Sequence, residues 1–314
     1  MAMTTKEASI KWGISDRRIR VLCANGKIEG ARLIGKTWYI PDNAVKPSDG
    51  RIKTFFSYSI KIEELKKVLD SKRPLTESEL ERLKEEFIIE YTYNSNAIEG
   101  NTLTLRETDL VLRGLTIDQK PLKDHMEAIG HRDAFEFVCD LVKERAILNE
   151  HHIKQIHYLV LADKKLDRGV YRKIPVIIMG ALHTPTQPYL IESRMQELLD
   201  WYINSTDNFL EKLARFHIEF ESIHPFIDGN GRTGRLLVNL ELMKLGYPPI
   251  DIKFTDRKSY YDAFDSYHAK HDIKPMANLL GKYLIEALKN YASELAQLVP
   301  EQHAKRRSSY IKKI

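Results

Sequence analysis

The sequence predicts a mainly α-helical chain that carries a small winged helix-turn-helix module at its N-terminus. Three observations predict it. Apolar residues recur at helical spacing through most of the chain, as in "IEELKKVLD" (62–70) and "DHMEAIGHRDAFEFVCDLVKE" (124–144). The first 25 residues hold two short helical patterns, and "ARLIGKTWYIP" (31–41) then alternates through a Gly35-Lys36 turn, as a hairpin does. A single stretch, "YRKIPVIIMGALHTPTQPYLIES" (171–193), interrupts the later helices with β-branched residues around a Gly/Pro-rich turn. That stretch predicts a β-hairpin flap.

In the N-terminal module "TTKEASIKWG" gives a first helix and "ISDRRIRVLCANGK" a second, with Ser15 as N-cap, Ile14 as staple and Asn25-Gly26 as stop. Arg17, Arg18 and Arg20 fall on the second helix, and Arg32 and Lys36 on the hairpin. The arrangement resembles the small DNA-binding domains of the MerR/excisionase type, which implies DNA contact through those five residues. The competing reading is a small adaptor module with solvated arginines.

Composition bounds the rest. The chain has 314 residues, 43% hydrophobic and 30% charged, long enough for two or more domains with a sizeable core. The net charge of +5 is uneven: residues 1–50 carry +4, residues 301–314 carry +4, and the body between them −3. Cys23 and Cys139 are too few for a disulfide framework, which favours a reduced, cytoplasmic setting. No apolar leader opens the chain, and "IPVIIMGAL" is too short to cross a bilayer, so no membrane partner is expected. "PSDGR" (47–51) predicts a linker. Beyond it, Thr76 and Glu79 predict a capping box.

The densest chemistry lies in "IHPFIDGNGRTGR" (223–235). Gly229 to Gly234 spells G-x-G-x-x-G, and Asp251 lies twenty residues past Gly231, but a dinucleotide site needs a strand before the first glycine. Here Phe209, Leu210, Leu213, Phe216, Phe220 and Ile223 precede it at helical spacing, which predicts helix, loop, helix. The second helix reads "RTGRLLVNLELMKLG", with Gly229, Asn230 and Gly231 just before its start. Unpaired N–H groups there, glycines free to take positive φ, and the helix dipole make an anion site. Arg232 and Arg235, three apart, present forks to one mouth, which fits a polyphosphate. Asp228 beside a phosphate makes sense with a cation between, and Mg²⁺ takes one or two carboxylates plus phosphate oxygens. His224 has the side chain for general-base work near neutral pH, Pro225 ends its helix, and Phe226 is a buried anchor.

These residues, H-P-F-x-D-G-N-G-R-x-x-R, are similar at every fixed position to the signature of the Fic (Fic/Doc) family. The resemblance runs from about residue 90 to about residue 290. It implies a Fic-type helical core with a small β-hairpin flap, and transfer of AMP from ATP to a hydroxyl on a target protein. His224 would be the base and Asp228 the Mg²⁺ ligand. Gly229, Asn230, Gly231, Arg232, Thr233, Gly234 and Arg235 would hold ATP, with Arg235 on the γ-phosphate. Met179, Gly180, Ala181 and Leu182 of the flap would register the target, and Tyr260 would line the adenine site. Where relatives often carry Asn eight residues after that tyrosine, this chain has His268, which leaves the contacts there open. His268 and His271 have no evident third metal ligand and read as ordinary surface or pocket residues.

"SNAIEGN" (95–101) resembles the family's inhibitory motif, [S/T]-x-x-x-E-[G/N], through Ser95, Glu99 and Gly100. Ser95 and Glu99 share a helix face, and Glu99 paired to Arg235 would withhold the γ-phosphate's fork. A capped helix end with an exposed Glu is the plain alternative. The expected organisation is a helix-turn-helix domain (1–48), a helical segment with the inhibitory motif (49–112), the catalytic core (113–291) and a basic tail (292–314). Expected partners are ATP, a target protein or the chain itself, DNA, and a second copy of the chain. A nucleotide-sensing transcriptional regulator, and a Fic enzyme that moves another phosphate-containing group or removes AMP, stay open as alternatives.

Overall fold

The computed structural model describes residues 2–46, 50–71 and 77–311, and they fall into two compact units, Met1–Phe56 and Ser57–Ile314. Residues 47–49 of the expected linker and Thr76 of the expected capping box lie outside the residues so described. Among the described residues no helix is long and apolar enough to cross a membrane.

The first unit runs β1 (Ala2–Thr4), α1 (Thr5–Trp12), α2 (Asp16–Ala24), β2 (Arg32–Ile34) and β3 (Thr37–Pro41). Ser15 caps α2 by accepting from the Arg18 N–H at 3.3 Å, and the helix stops at Asn25-Gly26, where Gly26 takes φ of 64°. β2 and β3 pair antiparallel across the Gly35-Lys36 turn, as the alternation predicts. The sequence reading has no counterpart for β1, which adds a third strand in the order β1-β3-β2. Its cause is burial: Met3 faces Ile40, and both enter a small core with Ala8, Trp12, Ile19, Cys23 and Ile28.

After α3 (Gly50–Asp70), the second unit continues through α4 (Glu77–Ile98), α5 (Leu105–Leu112), α6 (Leu122–Lys143), α7 (Glu150–Val160) and α8 (Ile191–Asn204). It closes with α9 (Phe209–Ile223), α10 (Asn230–Lys244), α11 (Arg257–Lys270) and α12 (Lys274–Ile311). The stretch expected as a basic tail thus continues α12 as far as Ile311. Buried residues occupy every side of α10 from Asn230 to Leu242, the mark of a helix enclosed by others. Phe216, Phe220, Phe226, Leu236, Leu237 and Leu240 join it to a core shared with α4, α6, α7 and α8. Gly130 lets α6 lie directly on α7, since a Cβ there would collide with the Leu159 carbonyl.

The β-hairpin flap is not formed: residues 173–187 carry no strand pairing. Pro175 and Pro185 remove ladder donors from its two legs. Arg172 does the work of a ladder instead. Its guanidinium donates to the Ile174 carbonyl at 2.9 Å and to the Thr186 carbonyl, tying the legs at their base. The tip is a turn closed by Ala181 N–H to the Ile178 carbonyl at 3.2 Å.

Candidate active site

The site is built where α9 hands over to α10. His224 caps α9 in the left-handed region, φ 50°, with its N–H on the Phe220 carbonyl at 3.0 Å. Such a φ is uncommon outside glycine. Phe226 is fully buried as expected, and stacks on the His157 ring at 3.6 Å. Asn230 clasps it: Asn230 Oδ1 accepts the Phe226 N–H at 2.9 Å, and Nδ2 donates to the Phe226 carbonyl at 3.0 Å.

That clasp starts α10 two residues earlier than the sequence predicts. Gly229 is the N-cap at φ 75°, while Asn230 and Gly231 already belong to the first turn. Gly229 alone of the three needs glycine's freedom of φ. Gly231 is glycine for room, because a Cβ there would collide with Glu99 Oε1. The anion site survives the change, since first-turn N–H groups have no intrahelical partner.

A cleft of about 630 Å³ opens in front of this helix start. Glu99, His224, Asp228 to Gly231, and the flap residues Met179, Gly180 and Ala181 line it; Leu182 is exposed and outside the lining. Burial pulls the His224 pKa down to about 4, and Arg172 adds to the shift, so the imidazole is neutral over the physiological range. Burial alone would raise Asp228, but Lys164 at 2.6 Å, Arg232 at 3.3 Å and the Gly229 N–H at 2.6 Å carry it down to about 2.

The two arginines do not share a mouth. Arg232 is buried against α6, ion-paired to Glu127 at 3.0 Å and to Asp228, and braces that carboxylate from behind. Arg235, 3% exposed, points to the end of α4. It donates to Ser95 Oγ at 3.0 Å, the Ser95 carbonyl at 2.7 Å, Glu99 Oε1 at 2.9 Å and Tyr260 Oη at 3.3 Å. Divergence follows from their burial between different helices. Thr233 and Gly234 lie on the buried side of α10, where Gly234 packs against Glu221 and His217.

Tyr260 lines the cleft but is only 2% exposed, and spends its hydroxyl on Arg235 and on His217 at 2.8 Å. Its neighbour Tyr261, 39% exposed, offers the cleft an open ring, with Arg257 over it at 5.3 Å. His268 stacks on His183 of the flap at 3.8 Å and meets Ser222 Oγ at 3.2 Å, while His271 caps α11.

Four further residues hold the site, and no local pattern announces them. His157 accepts the Gly169 N–H at Nδ1 and so donates Nε2–H to the Asp228 carbonyl, both at 2.9 Å. Arg172 reaches the His224 carbonyl at 2.7 Å besides tying the flap. Lys164 holds Asp228. Glu221, on the last turn of α9, is pushed up to about 8 by burial and by the charge of Glu99, against the pull of Arg235.

The Fic/DOC family profile matches residues 147–242, which hold the whole loop and most of α10. A Fic-domain signalling protein from Bacteroides thetaiotaomicron superposes with a TM-score of 0.68 at 30% identity, covering 76% of this chain and 98% of that one. The chain belongs to the Fic/DOC family. Fic-1 from Caenorhabditis elegans (residues 134–508) shares the Fic fold with a TM-score of 0.67 at 28% identity, over 79% of this chain and 73% of that one. The protein adenylyltransferase Fic of Nematostella vectensis is 34% identical over 210 residues, 65% of this chain and 48% of that protein. This Fic chain thus spans about half the length of the curated relatives it matches.

Arg172 is expected to hold both flap and loop. Arg172→Lys keeps the charge but loses the planar fork, with an expected cost of about 1–3 kcal/mol in stability. Limited proteolysis should then cut within residues 173–187 well before wild type. Equal protease resistance and an unchanged Tm would remove this role.

Proposed function

We propose that this Fic protein transfers AMP from ATP to a hydroxyl side chain of a target protein, and that Glu99 restrains it. One observation carries the reading: a neutral, buried imidazole faces the free N-terminus of α10, while the buried fork of Arg235 is occupied by Glu99. His224 takes the proton of the attacking hydroxyl, whose oxygen bonds to the α-phosphate as pyrophosphate leaves. The first-turn N–H groups of α10 and the helix dipole stabilise charge building on the phosphate. Arg235 receives the γ-phosphate once Glu99 moves aside. The name carried by the curated relatives, protein adenylyltransferase Fic, supports this chemistry.

The residues fit Mg²⁺ held by Asp228. Its carboxylate is held ionised in the cleft, and among the described residues no cage of three or more His, Cys, Asp or Glu converges. An ion taken by one carboxylate and phosphate oxygens suits that donor set, and it would supply charge neutralisation between phosphates. Lys164 balances the charge of the Asp228 carboxylate itself. Backbone groups of the flap tip, free apart from the single turn bond, would register the target chain as an added strand.

We further propose that the first unit binds DNA. Arg17, Arg18, Arg20, Arg32 and Lys36 are all exposed, the first three on α2 and the others on the hairpin. Arg20 is paired to Asp16 at 2.8 Å, a surface pair that a phosphate can compete for.

With ATP labelled at the α-phosphate, the label should become protein-bound, and with ATP labelled at the γ-phosphate it should not. His224→Ala should lower that transfer by roughly 10²–10⁴-fold with ATP binding retained. Losing a charge-assisted contact worth about 1.5–3 kcal/mol, Glu99→Gly should raise it about ten- to a few hundred-fold. Protein-bound γ-label, or full transfer by His224→Ala, contradicts the reading. Separately, DNA affinity should fall steeply with salt and vanish with Arg17, Arg18 and Arg20 changed to Ala. An affinity that ignores both leaves the first unit as an adaptor.

A further inference from the structure

Glu221 has no part in the transfer chemistry above, yet its carboxyl stands beside the base. It lies one turn before His224 on α9, its side chain 13% exposed. Glu221 Oε1 is buried without a hydrogen-bond partner. His224 Nδ1 closes no hydrogen bond of good geometry, although the Glu221 backbone lies close enough to favour a proton on the ring. Glu221 Oε2 stands 3.9 Å from that Nδ1, roughly 1 Å beyond hydrogen-bond length. Gly234 makes the position available: a Cβ on residue 234 would come within 2.7 Å of Glu221 Oε1. Buried polar atoms without a good partner are costly as they stand, and a small turn of the carboxyl satisfies the Nδ1–H.

We propose that Glu221 is the positioning residue for His224, its carboxylate accepting the Nδ1–H so that Nε2 is free to take the proton of the target hydroxyl. This rests on the AMP-transfer reading and deepens it. The arrangement is that of a carboxylate supporting a catalytic imidazole, which fixes the tautomer and stabilises the imidazolium that forms. Proton accounting is simple: the hydroxyl proton ends on Nε2, the Nδ1 proton stays in place, and Glu221 remains a carboxylate.

The state of Glu221 then governs the base. It faces Glu99 at the end of α4, Arg235 on α10, Tyr260 on α11 and His217 on its own helix; Arg172 and His183 face His224. Burial and Glu99 hold its pKa at about 8, so in the restrained protein it is mostly a neutral carboxyl at pH 7, which can accept through its carbonyl oxygen but lacks the charge that stabilises an imidazolium. A raised carboxyl pKa means the competent carboxylate appears as pH rises through that value. Glu99 therefore restrains the enzyme twice, by holding Arg235 and by keeping Glu221 protonated.

The test is the pH dependence of kcat/KM for ATP, which reports ionisations of the free enzyme. Wild type should show an ascending limb near pH 8, and Glu99→Gly should move that limb to lower pH. Glu221→Gln in the Glu99→Gly background should remove the limb and lower kcat at least about tenfold, leaving the KM for ATP nearly unchanged. Glu221→Asp should restore part of the rate and the limb. A Glu221→Gln variant with the parent's kcat and limb overturns the proposal. Should Glu99→Gly transfer nothing, the AMP-transfer reading falls, and histidine NMR tests Glu221 alone. The His224 ring signals, assigned by their loss in His224→Ala, should inflect near pH 8 in wild type and lose that inflection in Glu221→Gln. Identical curves overturn it.

Discussion

A buried guanidinium must have anionic or well-aligned polar partners, and Arg235 is the buried guanidinium on which this site depends. Leaving such a charge unpaired costs several kcal/mol, so its partners are set by necessity. Two of its contacts are permanent in character: Ser95, through hydroxyl and carbonyl, and the Tyr260 hydroxyl. The third, Glu99, comes from the first residue past α4 and is about one-third exposed. An anion entering the cleft can replace that partner without stranding the charge, and a neutral ligand cannot. The restraint is therefore open to displacement by an anion and not by a neutral ligand, as the proposed γ-phosphate seat requires.

Much of the remaining architecture serves to bring Glu99 and Arg235 together with His224 in register. Gly231 gives Glu99 room against α10, and Gly234 gives Glu221 room against the same helix one turn on. The Asn230–Phe226 clasp and the His157 stack hold the loop rigidly, so the α10 N-terminus and His224 keep a fixed separation. Arg172 extends that rigidity to the flap, joining its legs to the end of α9 with one fork. The proposed AMP transfer needs placement of this kind, since a base and an anion site must act on one phosphate.

Local chemistry made much of this legible. Ser15 as cap, the Gly35-Lys36 hairpin and the helix–loop–helix around residues 224–229 each follow from side-chain type and spacing within a few residues. Glu99 meets Arg235 beside Ser95, but from one residue past α4 and not from a shared helix face. The errors have local causes too. Asn230 looks like loop by propensity, but its amide bonds both backbone groups of Phe226 and starts α10 early. The flap has strand composition, but its prolines and an arginine make it a stapled turn. What could not be read were the pairings across the chain. Lys164 with Asp228, His157 with the same loop, and Arg172 with His224 are separated by 64, 71 and 52 residues. No period or cap marks a contact of that range. Glu221 was hidden differently, as a polar residue one turn from the motif on a helix read only for its apolar face.

The most direct measurement is the affinity of the protein for ATP relative to ADP, by calorimetry, in wild type and in Glu99→Ala. If Glu99 occupies the seat of the γ-phosphate, removing it should raise the preference for ATP over ADP by about tenfold or more. Arg235→Ala added to Glu99→Ala should erase the gain. An ATP-to-ADP ratio that is the same in wild type and in a folded Glu99→Ala protein would contradict the account, because Glu99 and the γ-phosphate would then not share a site.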